Sequence, residues 1–152
     1  MDGTTKDTDV RLFSSLAYTH ARYTSGSLSN NTDNVSLAGN HVEGVPDWIE
    51  RGGLEFRHKG ISTTLQTSYM SSQFNDANNT QFNSTGVVGF VPSYTLFDWA
   101  LNWKFLKQYN VSTGINNIAN IRYFSRRINM YPGPGILPAD GRTFYLSFGF
   151  KI

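Results

Sequence analysis

The sequence predicts an all-β protein, an antiparallel meander of about six strands that are each long enough to cross a membrane. Three observations predict it. Large apolar residues alternate with polar ones at a period of two, as they do when successive strand side chains point to opposite faces. The connections between these segments alternate long and short. No stretch approaches the roughly 20 consecutive apolar residues of a membrane helix, and helical periodicity is hard to find anywhere in the 152 residues.

Taken in order, the first segment runs from Val10 to Tyr23, with a face assignment that hydropathy leaves open. A long connection rich in Ser, Asn and Gly follows, Thr24 to Asp47. The second strand, Trp48 to Arg57, has Leu54 and Phe56 on one face. The short turn Arg57-His58-Lys59-Gly60 leads to Ile61 to Ser71. There Ile61, Leu65 and Tyr69 oppose Ser62, Thr64, Gln66 and Ser68. After the long polar loop Ser72 to Pro92 comes the clearest strand. Phe97, Trp99, Leu101, Trp103 and Phe105 share one face, with Asp98, Ala100, Asn102 and Lys104 between them. The short turn Leu106-Lys107-Gln108 precedes Tyr109 to Ile121. A third long loop, Phe124 to Gly141, carries Pro132-Gly133-Pro134-Gly135. The last strand sets Phe144, Leu146, Phe148, Phe150 and Ile152 against Thr143, Tyr145, Ser147, Gly149 and Lys151. Strands of this length match the roughly 9–11 residues that cross a bilayer at a tilt. Alternation of long loops with short turns is the rhythm of a membrane barrel. A soluble β-sandwich or calyx with the aromatic stripe buried is the alternative that alternation alone leaves open. An oligomeric barrel or adhesin built from several copies is another.

Composition narrows the function. The net charge of +2 argues against nucleic acid as a partner, and the 16% of charged residues is below the usual quarter of a soluble domain. Absence of cysteine removes thiol nucleophiles and thiolate metal sites. His20, His41 and His58 lie in different segments without ligand spacing, so no metal or resident cofactor is expected. No nucleophile motif such as G-x-S-x-G occurs, and no paired acids suggest an enzyme. The Pro-Gly-Pro-Gly run lacks the amide donors of a phosphate cradle. Arg126 and Arg127, on an expected outer loop, could grip an anionic chelate through bidentate contacts with carboxylates, or could simply be a solvated pair. Arg142 is expected to pair with an inward-facing acid, Asp98 or Glu55. Asp98 and Glu50 are both assigned to the inner face. Trp48, Trp99, Trp103 and Tyr94 are candidates for interfacial girdles.

Asn116-Asn117-Ile118-Ala119-Asn120-Ile121-Arg122-Tyr123 resembles the N-N-[LIV]-x-[DN]-x-x-Y strand near the end of TonB-dependent receptors. Tyr131 to Tyr145 is similar to their final loop and closing strand. Val91-Pro92-Ser93-Tyr94-Thr95-Leu96-Phe97-Asp98 is similar to the P-x-Y-x-x-x-D opening of an earlier strand, and Leu16 to Tyr23 to another strand. The Arg126-Arg127 pair with the Pro-Gly-rich loop looks most like the ferric citrate branch. This resemblance implies residues 1–152 of the C-terminal part of an outer-membrane barrel of about 22 strands, in a Gram-negative bacterium. Plug and signal peptide are absent from the chain, and the residues before Val10 read as a periplasmic turn. It implies uptake of ferric chelates, with ferric citrate as the candidate, or of other scarce nutrients. The implied partners are outer-membrane lipid, the upstream strands, the barrel-assembly machinery and, through the missing plug, the TonB complex. An assembly signal would comprise Tyr145, Ser147, Phe150 and Ile152, with Ile152 replacing the usual terminal Phe or Trp.

Overall fold

The computed structural model describes residues 8–30, 33–106, 108–130 and 134–151. Twelve strands are present among them: β1 (Thr8–Tyr18), β2 (Ser27–Asn30), β3 (Asp33–Ser36), β4 (Trp48–His58), β5 (Ile61–Met70), β6 (Gln73–Phe74), β7 (Phe90–Val91), β8 (Tyr94–Phe105), β9 (Tyr109–Asn116), β10 (Phe124–Ile128), β11 (Gly135–Pro138) and β12 (Thr143–Phe150). Six of them form one antiparallel meander in the order β1, β4, β5, β8, β9, β12. The other six are short hairpins inside the three long connections: β2 with β3, β6 with β7, and β10 with β11. Those hairpins are absent from the sequence reading, because two to five residues cannot display a period.

Register turns the alternation into two surfaces. One cross-strand row reads Leu12, Leu54, Leu65, Trp99, Ile115 and Phe144, one residue from each strand. The row below it reads Val10, Phe56, Thr63, Leu101, Thr113 and Leu146. On the opposite face a row reads Asp9, Arg57, Ser62, Asn102, Ser112 and Ser147. Register settles the open face of the first strand: Val10, Leu12, Leu16 and Tyr18 join the apolar surface and Phe13 the polar one. A slip of one residue between any pair would exchange the surfaces.

Nothing covers the apolar face among the described residues. The two buried hydrophobics, Leu37 and Val91, both lie in the region of the long connections and not under the sheet. Edge residues Leu12 and Leu146 are 81% and 77% exposed, and Leu65 and Trp103 well inside the sheet are still 48% and 47% exposed. Each such side chain left in water forgoes roughly 1.5–3 kcal/mol. A sheet greasy on one side and polar on the other is stable with hydrocarbon against the first and water or protein against the second. That is the geometry of a barrel wall and not of a sandwich, whose apolar face is its core. Aromatic clusters mark the two margins of the outer face. Tyr18 packs on Trp48 at 4.5 Å near the long loops. Trp103, Phe105, Tyr109 and Phe150 form a chain with centroids 4.8–5.3 Å apart near the short turns. Trp99 lies between these bands and donates to Thr63 Oγ1 at 2.9 Å.

The inner face is filled by two aromatic-over-glycine pairs. Phe13 lies opposite Gly53, and a Cβ there would meet its Cζ at 2.5 Å. Tyr145 lies opposite Gly114 in the same way, with its hydroxyl at 2.6 Å from the position of a Cβ. The missing side chain lets each ring lie flat across the neighbouring strand.

Several expectations are corrected. Glu50 belongs to the outer face, in register with Leu16 and Tyr69. Tyr94 belongs to the inner face, two residues from Leu96 and four from Asp98, so it is no part of the outer girdle. The strand expected over Tyr109 to Ile121 stops at Asn116, because Asn117 and Asn120 take φ values of 51° and 52° and fold the chain into a turn. The turn of the first hairpin narrows to Lys59-Gly60, since His58 and Ile61 already pair. Thr8 and Asp9, expected in a periplasmic turn, belong to β1; residues 1–7, Lys107, residues 131–133 and Ile152 lie outside the described residues, and with them the rest of that expected turn, part of the Pro-Gly run and the last position of the assembly signal.

Candidate functional site: the crown of long loops

All three long connections leave the same end of the sheet, because β1, β5 and β9 run toward it and β4, β8 and β12 run back. The rim beneath them is fixed by the motifs singled out in the sequence. Asp98 Oδ1 accepts from the backbone N–H of Asn117 at 2.7 Å. The Asn117 side chain is 3% exposed and fully occupied: Nδ2 donates to Ile121 O at 2.9 Å, and Oδ1 accepts from Ile121 N at 2.9 Å. Asn120 Oδ1 accepts from Arg142 N at 3.0 Å, which ties the far end of the third loop to its start. Tyr94 packs against Tyr123 at 4.4 Å. The acid and tyrosine of one motif therefore meet the asparagine and tyrosine of the other. An Asn tolerates the left-handed backbone that the turn needs better than most residues, and its amide replaces the strand ladder that ends there.

Above the rim the loops hold one another. Asn79 joins the second loop to the first by accepting from His41 N at 2.7 Å and donating to His41 O at 2.9 Å. Asn40 Nδ2 donates to Ala77 O at 2.8 Å, and Gly44 N to Phe74 O at 2.8 Å. Gln73 Nε2 reaches Ser125 O in the third loop at 3.1 Å. His41, Phe74 and Phe90 pack in sequence at 5.6 Å spacings.

The arginine pair is split by this arrangement. Arg127 is half-buried and works inside the crown. Its Nη1 donates to Gly86 O at 3.0 Å, its Nη2 and Nε to Phe90 O at 3.0 and 3.3 Å, and its guanidinium lies 5.2 Å over Phe124. Its neighbour Arg126 is exposed. Arg122 lies beside Tyr123 and lines two adjoining hollows, one with Tyr94 and one of about 320 Å³ with Asn120 and Gly141. The sequence reading missed Arg122 as a candidate, although it sits inside the quoted motif. Arg142 makes no ion pair with Asp98 or Glu55: Asp98 is engaged by Asn117, and Glu55 by Arg57 and Arg11.

In the first loop Arg22 forms a bidentate contact with Asp47, at 3.3 and 3.4 Å. His41 Nδ1 lies 3.7 Å from the same carboxylate. The Arg22 hydrogen bond holds the Asp47 carboxyl below its ordinary value. Tyr23 donates its hydroxyl to Glu43, which lowers the Glu43 carboxyl and raises the phenol. His20 and His58 sit apart, against Tyr18 and Thr8. Of the assembly-signal positions, Tyr145 and Ser147 face inward and Phe150 outward.

Residues 4–118 match the family model described as TonB dependent receptor-like, beta-barrel. The structure is similar to that of the ferric citrate transporter FecA in its unliganded form, with 22% identity and a TM-score of 0.74 over 93% of this chain and 21% of that one. It is also similar to the siderophore receptor PiuA from Acinetobacter baumannii, with 19% identity and a TM-score of 0.73 over 97% of this chain and 20% of that one. The copper transporter OprC matches with 16% identity and a TM-score of 0.60 over 97% and 21% of the two chains. The chain thus spans about a fifth of the solved structures it matches.

Proposed function

The chain belongs to the TonB dependent receptor-like β-barrel family, and we propose on that premise that it forms part of the wall and outer mouth of an outer-membrane receptor taking up ferric chelates. In this reading it is a transport segment and not an enzyme. The observation that carries the reading is the loop crown: a self-supporting polar structure set at one end of a lipid-facing sheet, with cationic and aromatic side chains at its rim. Its partners would be outer-membrane lipid along the apolar face, further strands of the receptor at β1 and β12, the barrel-assembly machinery, and an energy-coupling TonB complex reached through a plug.

A ferric chelate of citrate type carries carboxylates, which a planar guanidinium matches in two parallel hydrogen bonds. Arg126 is exposed and can make such a contact, with Arg122 beside Tyr123 as a second candidate. Arg127 supports the pair indirectly, because its donors hold the second and third loops together. The test is equilibrium binding of radiolabelled ferric citrate to the purified receptor carrying this segment, with a neutral hydroxamate chelate as the comparison. Arg126→Gln should weaken ferric citrate roughly tenfold, about 1.4 kcal/mol, and leave the neutral chelate unchanged. Failure of the intact receptor to bind any ferric chelate would remove the reading.

A further inference from the structure

The outer rows of the six long strands hold one acid, Glu50, and no Lys or Arg. Asp9, Arg11, Arg51, Glu55, Arg57, Asp98 and Lys104 all belong to the inner rows. Glu50 stands between Leu16 and Tyr69, one outer row below Tyr18 and Trp48. It has no ion-pair partner among the described residues. Acids in membrane-spanning segments nearly always have a partner, and a charge on the lipid face weakens a barrel.

The carboxylate leans into a hollow. The next outer row down reads Ser14, Gly52 and Thr67, with Phe97 beyond them. Their small side chains leave a depression of about 340 Å³, walled by Leu54, Leu65 and Phe97 and bordered by Glu50. Glu50 Oε1 lies 2.9 Å from where a Cβ on Gly52 would be. The acid is therefore turned away from the loops and deeper into the apolar layer, out of reach of lipid headgroups at the loop end.

We propose that this hollow is the contact site of a membrane-spanning segment of another outer-membrane protein. That segment brings a lysine or arginine to Glu50 and an apolar side chain into the space over Gly52. Charge complementarity selects the cation, and the row of small residues lets a second backbone come close. A second copy of these strands is unsuited, because their outer rows offer no Lys or Arg. The inference rests on the barrel reading and is independent of which ligand the crown takes.

The experiment uses the whole receptor, first checked for the heat-dependent gel migration of a closed barrel. It is studied in native outer membranes and, after purification, in vesicles of total outer-membrane lipid. A lipid-soluble carbodiimide labels carboxyls exposed to hydrocarbon, and mass spectrometry reads the label on Glu50. Labelling should be at least about tenfold slower in native membranes than in the vesicles. Thr67→Phe, which fills the hollow with an apolar side chain on the lipid face, should keep the barrel folded and remove that difference. A photo-crosslinking residue in place of Leu12, at the edge of the hollow, should join a peptide of a different protein that contains Lys or Arg. The same cross-link should be lost in Glu50→Gln. Equal labelling in the two membranes would overturn the proposal, whether Glu50 is open or is shielded by lipid in both. Cross-links confined to lipid, or to the receptor itself, would overturn it as well.

Discussion

The contact between Asp98 and Asn117 shows how one side chain can end a strand and begin a loop. Asn117 is nearly inaccessible, and its N–H has Asp98 Oδ1 as partner. Asp98→Ala should cost about 1–3 kcal/mol, the penalty for a buried donor left unpaired. Urea unfolding of the receptor in liposomes would measure it, and Asp98→Asn, which keeps an acceptor, should recover part. Both residues are conspicuous in the sequence as parts of two motifs. What the sequence could not reveal is that the motifs touch, since 19 positions separate the pair. Glu50 is the opposite case. Strict alternation from Leu54 and Phe56 puts it on the apolar face, yet Gly52 and Gly53 interrupt the pattern and Ile49 points inward. A charge two residues before the Gly52-Gly53 pair reads as an inner residue, and the register with Tyr69 corrects it.

Among elements, β8 and β12 are the most legible because every second residue is large and apolar and the packing adds no exception. The consequence can be tested on one strand. Leu101 lies near the middle of the outer face and Asn102 beside it faces inward. Leu101→Arg should destabilise the folded barrel by about 2–4 kcal/mol at the bilayer midplane. Asn102→Arg should cost far less, and parallel urea titrations would separate the two. The long loops were legible as connections but not as a crown, because their order comes from contacts between loops distant in sequence, such as Asn79 with His41. Acidity should loosen the first loop. Asp47 and Glu43 are held below their ordinary values of 3.8 and 4.5, so the stabilisation they give is present above those values. It is lost as pH falls through the depressed ones. Amide exchange over residues 19–47, corrected for intrinsic rates, should be flat from pH 8 to about pH 5 and rise below about pH 4. Exchange that already rises between pH 7 and 6 would overturn this account.

On the scale of the whole molecule, β1 and β12 are the two edges of the sheet. Every unpaired backbone group on an edge costs several kcal/mol in hydrocarbon. The 152-residue chain expressed by itself and refolded in detergent should therefore give associated species and not a compact, heat-modifiable monomer, as size-exclusion chromatography with light scattering would report. A protease-resistant monomer would mean that six strands can close. The alternation of faces and the three-loop rhythm were both legible here, because they are local. The identity of the strands that satisfy the two edges is not local, and no pattern within β1 or β12 specifies it beyond an apolar outer row.

The meander has one more consequence. Each strand of the sheet bonds only to the strands next along the chain, so one hairpin with its loop is a self-contained tile. Duplicating or deleting such a tile leaves inside and outside unchanged for all the others, and it keeps both chain ends on the same side of the membrane. A lineage built this way can widen its barrel in steps of two strands while reshaping each loop independently, and the Lys59-Gly60 turn is the kind of seam at which such steps join.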